Sequence, residues 1–549
     1  MRGAQVIITA DESLFTDFRG VVHVGFVTCF PDEMFLRKVL SKLICIRPKI
    51  SESGEPSCVP YGVAKVEASL LAYGIPEEIV RVVHPDALER VVSEDTKVFL
   101  ISAMDPLGLG PATTTARALL GGEPYDAACF RRLMAKISRL RRKVCPDAKV
   151  IVGGPGAWQL LVKDWIQDAL GVDCVVLGEG ELVVGELVER ALQGGKLPRV
   201  VKGGAVPPDE IPLVRRPTIK YFVEVTRGCW RGCAFCDPTT RAFRTLPIDR
   251  ILEEVKVMAR ESDTIVIQTE DIFSYGYRPS LRGRPNRDAI VRLYRSIREV
   301  LGSPNIYLSH FSFPPVLLDP QTIDGINEVC EVSERRIYGG IPGIESGSPK
   351  IIARWMRGKP YPFTPEEWPD IVRTAVGILN DKHWFPACTM IVGFPNEEPS
   401  DTLKTIELIE DLKGTASFLC PFVLVPLGGL KGLGIGNVRF YKEHVELIKE
   451  AWLHNLDVIS KYSNYLGGWG AKGAIASVII KAAASFGRSM LSKWDCSGKA
   501  EEIKRRLLES IRKTFLRIRE LRGPAEVEVG ATALKAGEPV KERLPPKPC

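Results

Sequence analysis

The sequence predicts an α/β protein in three parts: a doubly wound parallel sheet, an open partial barrel of six β-α units, and a C-terminal helical extension. Three observations carry this. Runs rich in Val and Ile alternate with amphipathic stretches over roughly the first two hundred residues; a second alternation starts at residue 221; beyond residue 436 the period is helical. Strands that alternate with helices pair in parallel through right-handed crossovers. A chain of 549 residues is also too long for one hydrophobic core. A hydrophobic content of 45% with 26% charged residues excludes a disordered or fibrous chain. The net charge of +7 is small for this length, so no nucleic-acid partner is expected.

In the first part, segments 24–30, 79–85, 97–104, 149–155 and 174–180 read as buried strands, and 60–74 and 125–144 have helical spacing. Such a Rossmann-like sheet binds its ligand outside the carboxyl ends of its strands. The small and polar residues placed there are Ser102, Thr113, Gly153, Gly154, Gly178 and Glu179. Residues 193–220, rich in Pro, Gly and charge, read as a linker, and the first domain is set at 1–205.

The second set of strands falls at 221–226, 264–270, 305–313, 335–346, 385–395 and 417–427. Six units are too few for a closed eight-fold barrel and suit a partial, TIM-like (β/α)6 one, set at 206–436. Residues 437–523 are helical, and 524–549, rich in Pro and charge, read as a flexible tail. The first twenty residues carry three acids and no apolar run ahead of a cleavage site, and no eighteen-residue uncharged apolar run occurs. A cytoplasmic protein is therefore expected, where thiols stay reduced unless they bind metal or do redox work. Gln and Asn together number 14, with Arg, Glu and Pro abundant, a composition typical of thermophiles.

Three of the fourteen cysteines fall in one stretch, EVTRGCWRGCAFCDP at 224–238. Thiolates on one short loop bind iron or zinc. Structural zinc sites close four ligands, typically as two near pairs; here the spacing is C-x3-C-x2-C and no second pair exists. Three thiolates on a [4Fe–4S] cubane leave one iron open to a substrate or cofactor. The loop follows the first strand of the second part, at the barrel's carboxyl-terminal mouth, where the active sites of such barrels lie. Cys229, Cys233 and Cys236 are the predicted metal ligands, and Phe235 is placed to shield the cluster or contact an adenine.

This pattern, with an aromatic residue before the third cysteine, resembles the signature of the radical S-adenosylmethionine (SAM) superfamily. The resemblance implies that SAM chelates the open iron and that one electron cleaves it to a 5′-deoxyadenosyl radical, which takes hydrogen from an unactivated carbon. It also implies a six-unit partial barrel. GIESGS (343–348) resembles the family's motif after the fourth strand, which makes Glu345 a SAM contact. QTED (268–271) stands where the family holds the methionyl amine, favouring Glu270 with Asp271 in reserve. SHFS (309–312) ends the third strand, with Ser309 facing the site and His310 as the candidate catalytic proton acceptor.

A doubly wound domain ahead of this barrel resembles the superfamily's cobalamin-binding subgroup, as do CVPYGVAKVEASLLAYG, VIVGGPGAWQLL and VVLGEGELVVGELVERAL. The D-x-H-x-x-G motif of many cobalamin domains is absent: neither His23 nor His84 has an Asp two residues earlier. The resemblance therefore implies cobalamin without histidine ligation, and C-methylation or C–C bond formation at an unactivated carbon. Methylthiotransferases of the superfamily match less well. Their extra N-terminal cysteine triad is more widely spaced than Cys29, Cys45 and Cys58, and an RNA-binding C-terminal barrel is missing.

The stretches 473–491 and 501–522 are amphipathic, with Ile475, Val478, Ile479, Ala482, Phe486 and Met490 on one face of the first. They are expected to pack on the barrel; the alternative is a membrane surface, which suits a lipid substrate and the archaeal tetraether-lipid ring-forming enzymes that this layout also resembles. The expected partners are a small-molecule or lipid substrate and an electron donor such as ferredoxin or flavodoxin. The reading from another class is a non-catalytic iron–sulfur or cobalamin redox sensor.

Overall fold

The computed structural model describes residues 4–17, 27–431, 437–463 and 470–522. Its first sheet holds six parallel strands: β1 Val6–Ala10, β2 Val80–Val82, β3 Val98–Ser102, β4 Lys149–Gly153, β5 Cys174–Leu177 and β6 Val200–Lys202, in the order β2-β1-β3-β4-β5-β6. The strand order reverses between β1 and β3, the switch point where open α/β sheets form their crevice. The described part of the segment 24–30 is not a strand: residues 27–29 form a short 3-10 turn, and 24–26 lie outside the described residues. The strand at the switch point is instead VIITA, buried at all five positions. An apolar run packs as well in a turn as in a strand, and only its neighbours decide. The stretch read as a linker is also pinned in place: it supplies β6, and Thr218 bridges Val59.

The second part contains β7 Phe222–Glu224, the short antiparallel pair β8 Thr226–Arg227 and β9 Arg244–Thr245, then β10 Thr264–Gln268, β11 Asn305–Leu308, β12 Gly343–Glu345, β13 Ala387–Val392 and β14 Phe418–Val423. Six of these run parallel in two sheets, β11-β10-β7 and β12-β13-β14. A parallel bridge between His310 and Ile341 joins them into a half-barrel in sequence order. The fourth strand is shorter than its apolar run. At Gly339 a Cβ would come within 2.3 Å of the Phe385 carbonyl, so the chain is drawn in before the ladder begins.

The helix Lys442–Tyr462 backs β14, where Asn455 bonds both the amide and the carbonyl of Leu419 at 2.7 Å. The helix Lys499–Arg519 buries Ile503, Leu507, Ile511 and Ile518, mainly against the helix Pro111–Leu120 of the first part. The helix Gly470–Ser492 departs from expectation, because Val478, Phe486 and Met490 are 62–70% exposed. The side chains of Ile475 and Ile479 lie outside the described residues. Among the described residues, no helix is long and apolar enough to cross a membrane.

Two buried polar joints hold the first sheet to the barrel. Lys65, on the helix Tyr61–Tyr73, pairs with Glu254 of the helix Ile248–Met258 at 2.6 Å, and Tyr61 donates to the same carboxylate at 3.1 Å. At the second joint, Arg227 reaches Glu179 at 2.9 Å, Glu181 at 2.7 Å and Glu224 at 2.8 Å, while Arg244 also binds Glu179. Burial opposes charge on Glu179, but the two arginines outweigh it and hold its carboxyl down to about 2 from 4.5.

Glu254→Ala leaves the Lys65 ammonium buried and unpaired, and should destabilise the protein by about 3–5 kcal/mol, read from denaturant midpoints. The Lys65→Met, Glu254→Met double variant should recover most of that loss. A second expectation concerns pH. A carboxyl depressed on folding contributes stability above its unfolded value and loses it as pH falls towards its folded value. The stability gap between wild type and Glu179→Gln should therefore be widest near neutrality and shrink from about pH 4.5 down towards pH 2. A gap that stays constant over that window would show that the pair contributes nothing.

Candidate active site

The cysteine loop leaves β8 through Gly228, which has φ of 79°; a Cβ there would lie 2.5 Å from the Ala242 carbonyl, so glycine is needed twice over. The loop is then fastened along its length. The Cys229 amide donates to Pro238 at 3.2 Å, the Ala234 amide to Trp355 at 2.8 Å, and the Thr239 hydroxyl to the Cys236 carbonyl at 2.7 Å. Such anchoring places three thiols without help from regular structure. They line one cavity of ≈ 390 Å³ at the carboxyl ends of the half-barrel strands.

Of the residues predicted from sequence, the same cavity is lined by Glu270, His310 and Glu345, together with Asp271 and Phe235. Glu270 lies 3.8 Å from Arg241, and burial raises its pKa. Asp271 is committed to a hub, accepting from Phe273, Ser274, Ser312 and Arg231. Glu345 sits in a register shift between β12 and β13 with φ of 63°, a left-handed conformation uncommon outside glycine. Its carboxylate meets Lys359 at 3.0 Å and Thr389 at 3.3 Å. Burial works against the charge of Lys359, but Glu345 and Cys233 outweigh it and its pKa is raised.

Lys359, Arg231 and Trp368 are cavity residues that sequence reasoning missed. Lys359 stands in RWMRGKPYP, which belongs to no motif, and only the fold-back of this stretch onto the cysteine loop brings it in. Ser309 proves to be a brace: its hydroxyl bonds the amide and carbonyl of Thr269, tying β11 to β10.

The set predicted on the first sheet does not join the cavity. Glu179 is spent on Arg227 and Arg244, and Thr113 bonds Asp105 and the Gly110 carbonyl. Ser102 is buried beneath Gly62. Gly154, with φ of 97°, is required because a Cβ would approach the Ala103 carbonyl to 2.6 Å. What this edge does present is an open rim: Gly178 is exposed and Gly153 and Gly154 are partly so, with Met104 54% and Leu182 53% exposed alongside. Pro111, at the start of the helix that bonds β14 through Thr115 and Val423, reaches from this domain into the cavity wall.

The donor set fits a polynuclear cluster better than a single ion. Among the described residues, no three His, Cys, Asp or Glu side chains converge closely enough to share one metal ion. The three loop thiols all line the same cavity, and a cubane takes each thiolate on a separate iron. Burial pushes Cys229 up to about 11 and raises Cys233 and Cys236, with the other thiols adding to the rise at Cys236. Thiolate is thus stable there only opposite a compensating positive charge. Cys29, Cys45 and Cys58 form no such trio: Cys29 lies near Asp126, Cys45 near Ser41 and Arg47, and Cys58 near Tyr221.

Comparison with known proteins agrees with this geometry. Residues 223–409 match the Radical SAM superfamily model. The tRNA-2-methylthio-N(6)-dimethylallyladenosine synthase of Natranaerobius thermophilus is 25% identical over 339 residues, covering 60% of this chain and 71% of that one. A putative methylthiotransferase of Methanocaldococcus jannaschii is 27% identical over 265 residues, covering 45% of this chain and 54% of its own length. The chain thus spans between 54% and 71% of these curated relatives. In three dimensions it is similar to the radical SAM methyltransferase TsrM from Kitasatospora setae, solved with cobalamin and a [4Fe–4S] cluster bound. That likeness has a TM-score of 0.50 at 13% identity, over 78% of this chain and 77% of that one. On the cysteine loop, the half-barrel behind it and the matched span, residues 223–409 form a radical SAM domain, with a doubly wound domain ahead of it.

Proposed function

We propose that this radical SAM enzyme forms C–C bonds at an unactivated carbon, by methylation or coupling, with cobalamin at the rim of its first sheet. The observation that carries the reading is one cavity in which three buried thiols face a carboxylate–ammonium pair, Glu345 with Lys359, under a roof that starts at Pro111. Cys229, Cys233 and Cys236 would hold the [4Fe–4S] cluster, which supplies the electron that cleaves SAM. Lys359 is suited to the carboxylate of SAM, and Glu270 and Glu345 to its ammonium and ribose hydroxyls. Phe313, Ile391, Val425 and Leu427 make the facing wall apolar, excluding water from a site where a radical would otherwise be quenched. His310 lines the same cavity and is the group to receive the substrate's proton.

The rim of the first sheet fits a corrin bound without an axial histidine. Exposed backbone at Gly153, Gly154 and Gly178 allows close approach, and Met104 and Leu182 offer apolar contact to a flat ring. Cobalamin there supplies a methyl carrier. The layout is also that of a lipid ring-forming enzyme, and the exposed Val478, Phe486 and Met490 favour an apolar substrate.

Anaerobic incubation of the reconstituted protein with SAM and dithionite should release 5′-deoxyadenosine, and Cys233→Ser should abolish both that release and bound iron. An intact cluster with no 5′-deoxyadenosine would instead leave a sensor. Lys359→Ala should raise the KM for SAM about tenfold or more with less effect on kcat, because it removes one partner of a buried charge contact. His310→Ala should leave 5′-deoxyadenosine formation intact and lower product formation about 10²-fold or more over pH 6 to 8.

A further inference from the structure

Beside the cysteine loop, but outside the cavity, lies an exposed patch of aromatic and cationic side chains that the reaction leaves unused. Trp230, covalently next to Cys229, stacks on Tyr277 with centroids 4.5 Å apart and planes within 6°; Tyr361 meets it edge-on at 6.0 Å. Tyr361 is 39% exposed, and Trp230 and Tyr277 are partly so. Two segments frame this trio. RPSLRGRPNR at 278–287 and KIIARWMRGKPYP at 350–362 carry eight cationic residues between them and no acid. They are close in space: a Cβ on Gly283 would touch Pro362 and Tyr361, and one on Gly358 would meet the Arg231 carbonyl.

Some of these charges have partners. Lys359 is held by Glu345, Lys350 by Glu398 and Asp401, and Arg287 by Asp319. Arg278, Arg282 and Arg357 are exposed and have no carboxylate partner among the described residues. The next exposed acids along the chain are Asp288, directly after the first segment, and Glu366 and Glu367 after the second, with Glu367 bonded to Thr364. Tryptophan, tyrosine and arginine around a small centre are the composition of a binding hot spot. A cationic field steers an acidic partner and speeds encounter in a salt-dependent way.

We infer that this patch, Trp230, Tyr277 and Tyr361 ringed by Arg278, Arg282 and Arg357, is the docking surface for an acidic one-electron donor protein. The inference rests on the reading of the enclosed cavity as a reductive SAM site, where each cleavage consumes one electron. The donor gives up that electron and the cluster accepts it. Trp230 places the contact one residue from a cluster thiol, whereas the cavity itself is roofed and too small for a protein. Redox encounters are small and transient, so a patch of this size suffices.

The test uses the full-length reconstituted protein, a reduced acidic flavodoxin as probe, and the triple variant Arg278→Glu, Arg282→Glu, Arg357→Glu. Reversing three rim charges should raise the flavodoxin Kd about tenfold or more at low ionic strength. Flavodoxin-driven 5′-deoxyadenosine formation should fall to match, while the dithionite-driven rate stays within about twofold. Raising salt should weaken wild-type binding and leave the variant little changed. An unchanged Kd overturns the inference, as does an equal loss with both donors. So does a variant that loses affinity for a single-stranded RNA 20-mer while keeping flavodoxin. Should neither donor yield 5′-deoxyadenosine, the functional reading fails, and the Kd still decides the surface. The milder Arg→Gln triple variant should give a smaller rise in Kd and guards against a folding defect.

Discussion

The guanidinium of Arg227 is sunk, 7% exposed, among carboxylates from both halves of the molecule, two residues before the first loop cysteine. It binds Glu224 at the end of β7 through two parallel contacts at 2.9 and 2.8 Å, and reaches across to Glu179 and Glu181 beyond β5. A buried cation left without partners costs several kcal/mol, so neither side can move away alone. Bidentate geometry adds direction to that constraint. The cysteine loop, the end of β5 and the β8–β9 pair are thereby fixed relative to one another. The thiols keep their places around the cavity because a charge network holds the strand from which they hang.

Inside the cavity the same economy of placement recurs at Glu345. Its left-handed backbone costs on the order of 1 kcal/mol, and such strain persists only where the surroundings impose it. Here the shifted register of β12 against β13 turns the carboxylate towards Lys359 and Thr389. The cavity lining combines charged side chains, Glu270, Glu345 and Lys359, with aromatic and aliphatic ones such as Phe313, Ile391 and Leu424. Such a lining suits a ligand that carries both a charged group and a less polar one.

The cysteine trio was legible in the sequence because ligation needs a residue type at a spacing, and spacing survives without a fold. Glu270, Glu345 and His310 were legible as strand ends, since a parallel barrel collects those at one mouth. Lys359 was not, because it enters through a loop fold-back that no local period encodes, and Arg231, although inside the cysteine motif, follows no ligand spacing that would single it out. Glu179 shows the reverse error: a polar residue at a strand end reads as ligand-facing until the neighbouring sheet brings Arg227 and Arg244 to it. Strand β1 is hard to read from sequence for a comparable reason, since VIITA is as short as many buried loop segments and VGFVTCF is more apolar.

Arg117 carries a consequence for how the molecule is assembled. It is buried to 1% exposure with no carboxylate bonded to it among the described residues, and its donors go to the Leu107 and Gly108 carbonyls and to the hydroxyls of Ser510 and Thr514. Two of its four acceptors are therefore translated nearly four hundred residues later than the arginine itself. The cation at the base of the helix Pro111–Leu120 is therefore satisfied only once the helix Lys499–Arg519 has docked, so the first domain is completed by the last helix of the described chain.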